Sequence, residues 1–316
     1  MFHIGTLCHT ECKGGLSLSL GIGRILHMRN ISVCSWSYRL SASRVAEEMT
    51  KSGVDHVQLA LCPFVDPKAV VPGSAGDTES VAGTGGVESI DRQRKDVEEY
   101  LASGRWQLSS AMFNSSYEDY STLESIRRTG GIAPDEHWEE NRRLFTSAAK
   151  LAAEWRAPHL MLHAGYISHE DKAQYAKMRD RIICLRDICG EVGIGLTLET
   201  GQETATELAG LLSDLPEVCV NFDPANMILY GKGNPVEAVK VLAPWIRHVH
   251  IKDAVASKVP GQWGAEAAWT TGEVNADAFV AALDAAGFKG FLAVEREAGN
   301  DRPGDIAAAV ADLKRR

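Results

Sequence analysis

With 316 residues, 45% of them hydrophobic and 24% charged, the chain has ample apolar material for a buried core and a length suited to one α/β barrel, which commonly takes about 250 residues. No apolar run approaches the roughly 18 residues of a membrane span, and a formal net charge of −9 argues against a nucleic-acid partner. The 7 cysteines include no CxxC pair, and several, such as Cys34, Cys184 and Cys219, lie inside apolar runs. They read as reduced thiols of a soluble cytoplasmic protein rather than as a disulfide framework.

Residues 1–27, MFHIGTLCHTECKGGLSLSLGIGRILH, are rich in Gly, Ser and Leu. Glycines interrupt the apolar stretch and no A-x-A site follows, so this segment reads as a disordered leader or an over-long start rather than a signal peptide. Met28 leads directly into the first strand, and residues 28–316 are expected to form the folded unit. Runs rich in Val, Ile, Leu and Phe predict strands at 31–36, 55–61, 106–113, 159–163, 195–199, 218–223, 246–251 and 290–295. Between them, helical patterns cover 42–52, 90–103, 135–155, 173–192, 205–215, 235–242 and 277–286. Ser41 and Pro134 open helices, and Gly53, Gly193 and Gly287 close them. Eight strands alternating with helices predict an α/β fold, a single-domain (β/α)8 TIM barrel, with an open doubly wound sheet as the alternative. Residues 66–87, with glycines at 73, 76, 83, 85 and 86, read as a long loop after the second strand, either a mobile lid or a variable insertion. No GxGxxG or GxxxxGK[ST] phosphate loop is present.

Four residues end the last four strand runs: Glu199 in GIGLTLET, Asp223 in EVCVNFDP, His250 in IRHVHIKD and Glu295 in GFLAVERE. In a parallel barrel such residues converge on the C-terminal mouth. Any one of them is as readily a helix N-cap. Together they offer mostly oxygen with a single nitrogen, a set suited to Mn²⁺, Mg²⁺, Co²⁺ or Zn²⁺ in a site open to substrate. Glu199 and Glu295 each close a nearly all-apolar run, where an unpaired carboxylate is costly to bury and a cation would offset that cost.

The run NFDPANMILYGKGNPVEAVKVLAPWIRHVHIKDA, preceded by LTLE and followed by TGEVNADAFVAALDAAGFKG and LAVERE, closely resembles the sugar phosphate isomerase/epimerase family of the xylose-isomerase-like TIM barrel superfamily. The resemblance covers roughly residue 28 to the end, and HIKD is its most specific motif. It implies Glu199, Asp223, His250 and Glu295 as ligands of one divalent metal, Mn²⁺ by preference. It also implies Glu199 and Glu295 as the acid/base pair of an isomerase or epimerase acting on a ketose or ketose phosphate through a metal-chelated cis-enediolate. The alternative on the same barrel is a lyase or dehydratase taking a keto-sugar or inosose-like substrate. Endonuclease IV shares the barrel but resembles this chain only at the carboxylates, with Gln58 where that family wants a ligand. Family members are often dimers or tetramers, which leaves a homo-oligomer open.

Two departures bear on substrate. Many epimerases of the family place a His three residues after the strand-six Asp, where this chain has Asn226, able to donate a hydrogen bond but not to share a proton. The arginine after the strand-seven His is also missing, and Lys252-Asp253 stand beside His250 instead. By resemblance His163 faces the pocket as a substrate contact, with a satisfied core histidine as the plainer reading. Lys252 either binds substrate or pairs with Asp253 or a neighbouring acid. Trp36 would wall a sugar ring or simply be buried. His248 shares the strand parity of His250 and reads as its support. Glu297, just beyond its strand, is expected to be solvated.

Overall fold

The computed structural model describes residues 29–65, 89–115 and 117–316; the leader and the glycine-rich loop expected at 66–87 lie outside the described residues. In chain order the elements are β1 (Asn30–Cys34), a 3-10 turn (Ser35–Tyr38), α1 (Ala42–Ser52), β2 (His56–Ala60), α2 (Cys62–Val65), α3 (Ile90–Ala102) and β3 (Gln107–Met112). There follow α4 (Leu123–Thr129), α5 (Asp135–Glu154), β4 (His159–Leu162), α6 (Lys172–Glu191), β5 (Gly195–Glu199), α7 (Ala205–Ser213), β6 (Val218–Phe222), α8 (Pro224–Leu229), α9 (Pro235–Leu242) and β7 (Ile246–Ile251). The chain finishes with β8 (Asp253–Val255), β9 (Ala265–Ala267), α10 (Ala276–Ala285), β10 (Phe291–Val294) and α11 (Arg302–Arg315).

Eight parallel strands close into a barrel in the order β1-β10-β7-β6-β5-β4-β3-β2, so the sheet is closed rather than open. Every strand lies within two residues of its expected span. The ends differ where a turn begins early. Trp36 belongs to the 3-10 turn, Asp223 caps α8, and Glu295 follows β10. The short helices α2, α4 and α8 and the β8–β9 pair are too brief to leave a period in the sequence, and α11 extends the helical pattern to the C-terminus.

Alternation along each strand divides the side chains. Outward residues such as Val33, Val57, Leu160, Leu198, Phe222, Val249, Ile251 and Val294 join the helices in one large buried cluster. Burying each large apolar side chain contributes about 1.5–3 kcal/mol. Phe222 stacks on Phe279 of α10 with ring centroids 5.7 Å apart, tying sheet to helix. Inside the barrel the apolar cluster is small, comprising Cys34, Trp36, Ala60, Met112, Met161 and Ala293. Polar residues fill much of the rest: Ser32, Gln58, Ser110, Thr197 and Asn221 are each 0% exposed.

Two register shifts interrupt the ladder. Opposite Val57 and Gln58, β3 carries Ser109 as an extra residue; opposite Val220 and Asn221, β7 carries Arg247. Such a bulge turns the following side chains to the other face. Its effect on β7 is to leave Ile246 in the outer core while His248 and His250 stay buried two residues apart, ahead of the mouth.

Close backbone contact fixes the loops after β3 and β4. At Gly131, with φ of 61°, a Cβ would lie 2.3 Å from the carbonyl carbon and oxygen of Ala164. Gly131→Ala is therefore expected to destabilise the fold by about 2–5 kcal/mol in a denaturant melt. Gly190, helical and with nothing within 4 Å of its would-be Cβ, is the control: Gly190→Ala should add up to about 1 kcal/mol.

Candidate metal centre

At the C-terminal mouth, Glu199, Asp223, His250 and Glu295 come together from four neighbouring strands, each offering a ligand atom within 4.8 Å of the others. His250 Nδ1 is the focus: it lies 3.0 Å from Glu199 Oε1, 3.1 Å from Glu295 Oε2 and 3.6 Å from Asp223 Oδ2. All four residues are at most 6% exposed. Neither Asp223 Oδ2 nor His250 Nδ1 has an aligned hydrogen-bond partner among the described residues. Three buried carboxylate oxygens around one imidazole nitrogen leave more negative charge than Lys252 can offset. A divalent cation suits that charge and that donor set, so the residues fit the group.

Each member is aimed by specific neighbours. Asp223 splits its carboxylate: Oδ1 caps α8 by accepting from Ala225 N at 2.7 Å and Asn226 N at 3.0 Å, which turns Oδ2 to the cluster. The Thr200 hydroxyl donates to the Asp223 carbonyl at 2.9 Å and accepts from its N–H at 2.8 Å, locking β5 to β6 at this height. Asn226 Nδ2 donates to Glu199 Oε1 at 3.2 Å and to Thr200 O at 3.1 Å. His163 Nε2 lies 3.1 Å from Glu199 Oε2, with 22% of its side chain exposed. Trp36 donates its indole N–H to Glu295 Oε1 at 2.8 Å and sets its ring edge-on to His250.

The structure thus places Trp36, Asn226 and His163 against the carboxylates, and of the three only His163 lines the adjoining cleft. Lys252 is 5% exposed and donates to Glu295 Oε2 at 2.9 Å and Glu297 Oε2 at 2.6 Å. Its partner is not Asp253, which instead accepts from the backbone N–H groups of Ala254, Gly272 and Val274 and so ties the segment after β9 to β8. Glu297 corrects the expectation of a solvated residue, because the ammonium of Lys252 draws it inward to 28% side-chain exposure.

Burial by itself would raise the carboxyl of Glu295, but His250 and Lys252 hold it well below the usual range. Glu199 is lowered against the same burial by His163 and His250. Burial dominates at Asp223, which is raised, and at Glu297, pushed up to about 7. His250 and Lys252 rise well above their ordinary values despite burial, since carboxylates face both.

Two residues support the cluster from inside the barrel: His248, which shares the strand parity of His250, and Gln58, which carries no sequence signal of function. Gln58 Oε1 lies 2.7 Å from His250 Nε2, and because an amide oxygen only accepts, the Nε2–H donates there and Nδ1 is left facing the carboxylates. Below it, His248 bridges Asn221 Oδ1 at 2.6 Å and Ser109 Oγ at 3.1 Å. Burial holds His248 well below its ordinary value, so it is neutral. Gln58, Ser109 and Asn221 all stand at the two register shifts, which a strand alternation does not reveal. A cleft adjoins the cluster and is lined by Glu199, His163, Glu118, Tyr120, Glu203 and Tyr230 among others. No described helix is long and apolar enough to cross a membrane, and no disulfide links the cysteines of the described residues.

Gln58→Leu is expected to weaken Mn²⁺ binding by about 10–100-fold, because the imidazole loses its orienting acceptor. Titration of Mn²⁺ followed by electron paramagnetic resonance reads this directly, and a circular dichroism melt shows that the fold persists.

A family profile described as xylose isomerase-like TIM barrel matches residues 80–316. A curated relative, the uncharacterized protein YihM of Escherichia coli strain K12, is 36% identical over 89 residues. That match spans 27% of this chain and 27% of the relative's length. Among solved structures, a xylose isomerase domain protein from Planctomyces limnophilus superposes with a TM-score of 0.73 at 26% identity, covering 90% of this chain and 95% of that one. The probable 3-DHS dehydratase AsbF of Bacillus anthracis gives 0.62 at 15% identity, with coverage of 90% and 98%. A D-allulose 3-epimerase from Methylomonas sp. gives 0.62 at 15%, with coverage of 91% and 98%. Matched by the family profile over more than half of its length, the chain belongs to the xylose isomerase-like TIM barrel family.

Proposed function

We propose that the chain is a divalent-metal-dependent isomerase or epimerase of a ketose or ketose phosphate, with Glu199 and Glu295 as its acid/base pair. The observation that carries this reading is the position of the two glutamates at the outer ends of the four-strand arc, at 3.0 and 3.1 Å from the same imidazole nitrogen. Glu199, Asp223, His250 and Glu295 would hold the metal, Mn²⁺ by preference, and it would supply Lewis-acid stabilisation of negative charge on a substrate oxygen.

The protein's own groups account for the proton transfers. One glutamate takes the proton from the carbon beside the carbonyl, and the electron pair of that C–H bond is taken up by the carbonyl group. The other glutamate returns a proton from the far side, which inverts the centre. Each glutamate keeps one oxygen toward the cluster while the other is held from behind, Glu199 Oε2 by His163 and Glu295 Oε1 by Trp36. This fixes the carboxylate planes before substrate arrives and limits the reorganisation needed during reaction. The substrate would be a small polyhydroxy compound.

A metal-dependent lyase or dehydratase is the second reading, and Asn226 favours it. Its amide is engaged by Glu199 and Thr200 and cannot share a proton with a substrate oxygen, while His163 stands partly exposed beside Glu199 as a donor for a departing hydroxyl. The solved epimerase and dehydratase superpose equally well on this chain, so the fold does not choose between the outcomes.

Glu199→Gln and Glu295→Gln are each expected to lower turnover by about 10²–10⁴-fold and to reduce bound metal measured by elemental analysis. With Mn²⁺ supplied, a ketose panel in D₂O scored by mass should show one solvent deuterium entering the sugar. Loss of the mass of one water would select the lyase instead. A wild-type protein that binds no divalent metal would sink both readings.

A further inference from the structure

We infer that the barrel carries a second, thiolate-containing metal position, formed by Cys34 with His250 and Glu295, which takes thiophilic divalent ions such as Zn²⁺ and Cd²⁺ in place of the ion held by the four-residue cluster. The inference rests on the metal centre of the reading above and adds which ions that centre tells apart.

Cys34 closes β1 and is 0% exposed, within the small apolar cluster inside the barrel. The ladder places it. Val33 is in register with Val294 of β10, the residue before Glu295, and Cys34 is in register with Gln58 of β2. Closure of the barrel therefore sets the thiol just under the mouth. Its sulfur, a ring nitrogen of His250 and a carboxylate oxygen of Glu295 all lie within 4.8 Å of one another, the same spread as the four-residue cluster. Donors around one tetrahedral ion stand about 3.5 Å apart, so small side-chain adjustments close the set.

A buried thiol is ordinarily an inert small hydrophobe. Two observations set this one apart. His250 Nδ1, in a residue 0% exposed, has no aligned hydrogen-bond partner among the described residues and lies 3.1 Å from Glu295 Oε2. The thiol is also aimed rather than merely packed: Sγ donates to Gln58 Oε1 at 3.4 Å, the same oxygen that His250 Nε2 reaches at 2.7 Å. Thiol and imidazole are thus turned toward a common point before any ion arrives.

Donor softness divides the two positions. Three carboxylates and an imidazole suit an ion that prefers oxygen, such as Mn²⁺ or Mg²⁺, whereas sulfur, nitrogen and one oxygen suit Zn²⁺ or Cd²⁺. The bound ion takes the place of the S–H proton, which passes to solvent. His250 and Glu295 belong to both sets, so the positions exclude each other. A thiophilic ion on Cys34 also occupies Glu295, one of the proposed acid/base pair, and acts as an inhibitor.

The test uses the full chain, with Co²⁺ as a spectroscopic substitute for Zn²⁺. In the wild type Co²⁺ should give a sulfur-to-cobalt charge-transfer band in the near ultraviolet, and Cd²⁺ should release bound Mn²⁺ one for one in electron paramagnetic resonance. Cys34→Ser and Cys34→Ala should abolish the band and weaken Cd²⁺ by at least the roughly 10–100-fold that loss of a supporting residue costs. Mn²⁺ affinity should stay as in the wild type, which separates lost ligation from a disturbed fold. No band in the wild type, a band that survives both substitutions, or Cd²⁺ bound beside retained Mn²⁺ overturns the inference and leaves the isomerase reading standing. A wild type that gives the band but binds no Mn²⁺ overturns that reading and leaves the thiolate position.

Discussion

The mouth of the barrel is organised around a concentration of buried negative charge that the fold must satisfy. Three carboxylates stand within 3.6 Å of one imidazole nitrogen, in a site almost closed to water. Leaving such groups unpaired in a low-dielectric interior would cost several kcal/mol apiece. The protein answers with Lys252 on one side, His163 on the other and a geometry suited to a divalent cation at the centre. The surrounding contacts read as consequences of that arrangement: the divided carboxylate of Asp223, the indole N–H of Trp36 and the amide of Asn226 each fix one oxygen so that another can face inward.

A second consequence reaches into the barrel. Its interior is polar for much of its depth, with His248, Asn221, Ser109 and Gln58 stacked beneath the carboxylates in place of the branched apolar layers common in this architecture. Stability comes instead from the outer cluster between sheet and helices, where Phe222, Phe279 and the Leu and Val residues of the strands are buried. The division frees the interior to orient one histidine through Gln58. The two extra residues, Ser109 and Arg247, bring this support into register.

Much of the fold was legible in the residues. Short apolar runs separated by helical patterns defined all eight barrel strands, because burial on the outward face demands Val, Ile, Leu and Phe whatever the site does. The four residues at the strand ends were equally visible, since a Glu closing LTLE or LAVE contradicts its apolar neighbours. Three things were hidden. Gln58 looked like a mere gap in a ligand set, although it is the acceptor that fixes His250. Glu297 looked solvated, because the Lys that draws it inward sits 45 residues earlier in the chain. Glu203 carried no signal at all, since nothing in TGQET distinguishes a carboxylate facing a cleft from one facing solvent.

The sequence alone determined the strand and helix order, the apolar faces and which acidic and imidazole groups end their strands, because these follow from local period and composition. Tertiary structure decided which oxygen of each carboxylate faces the centre, which cation neutralises which acid and where the cleft opens. Those outcomes depend on barrel closure, which brings β5, β6, β7 and β10 side by side, and on two register shifts that no local pattern encodes. Distances of about 3 Å between residues as far apart as Trp36 and Glu295 are set by that closure.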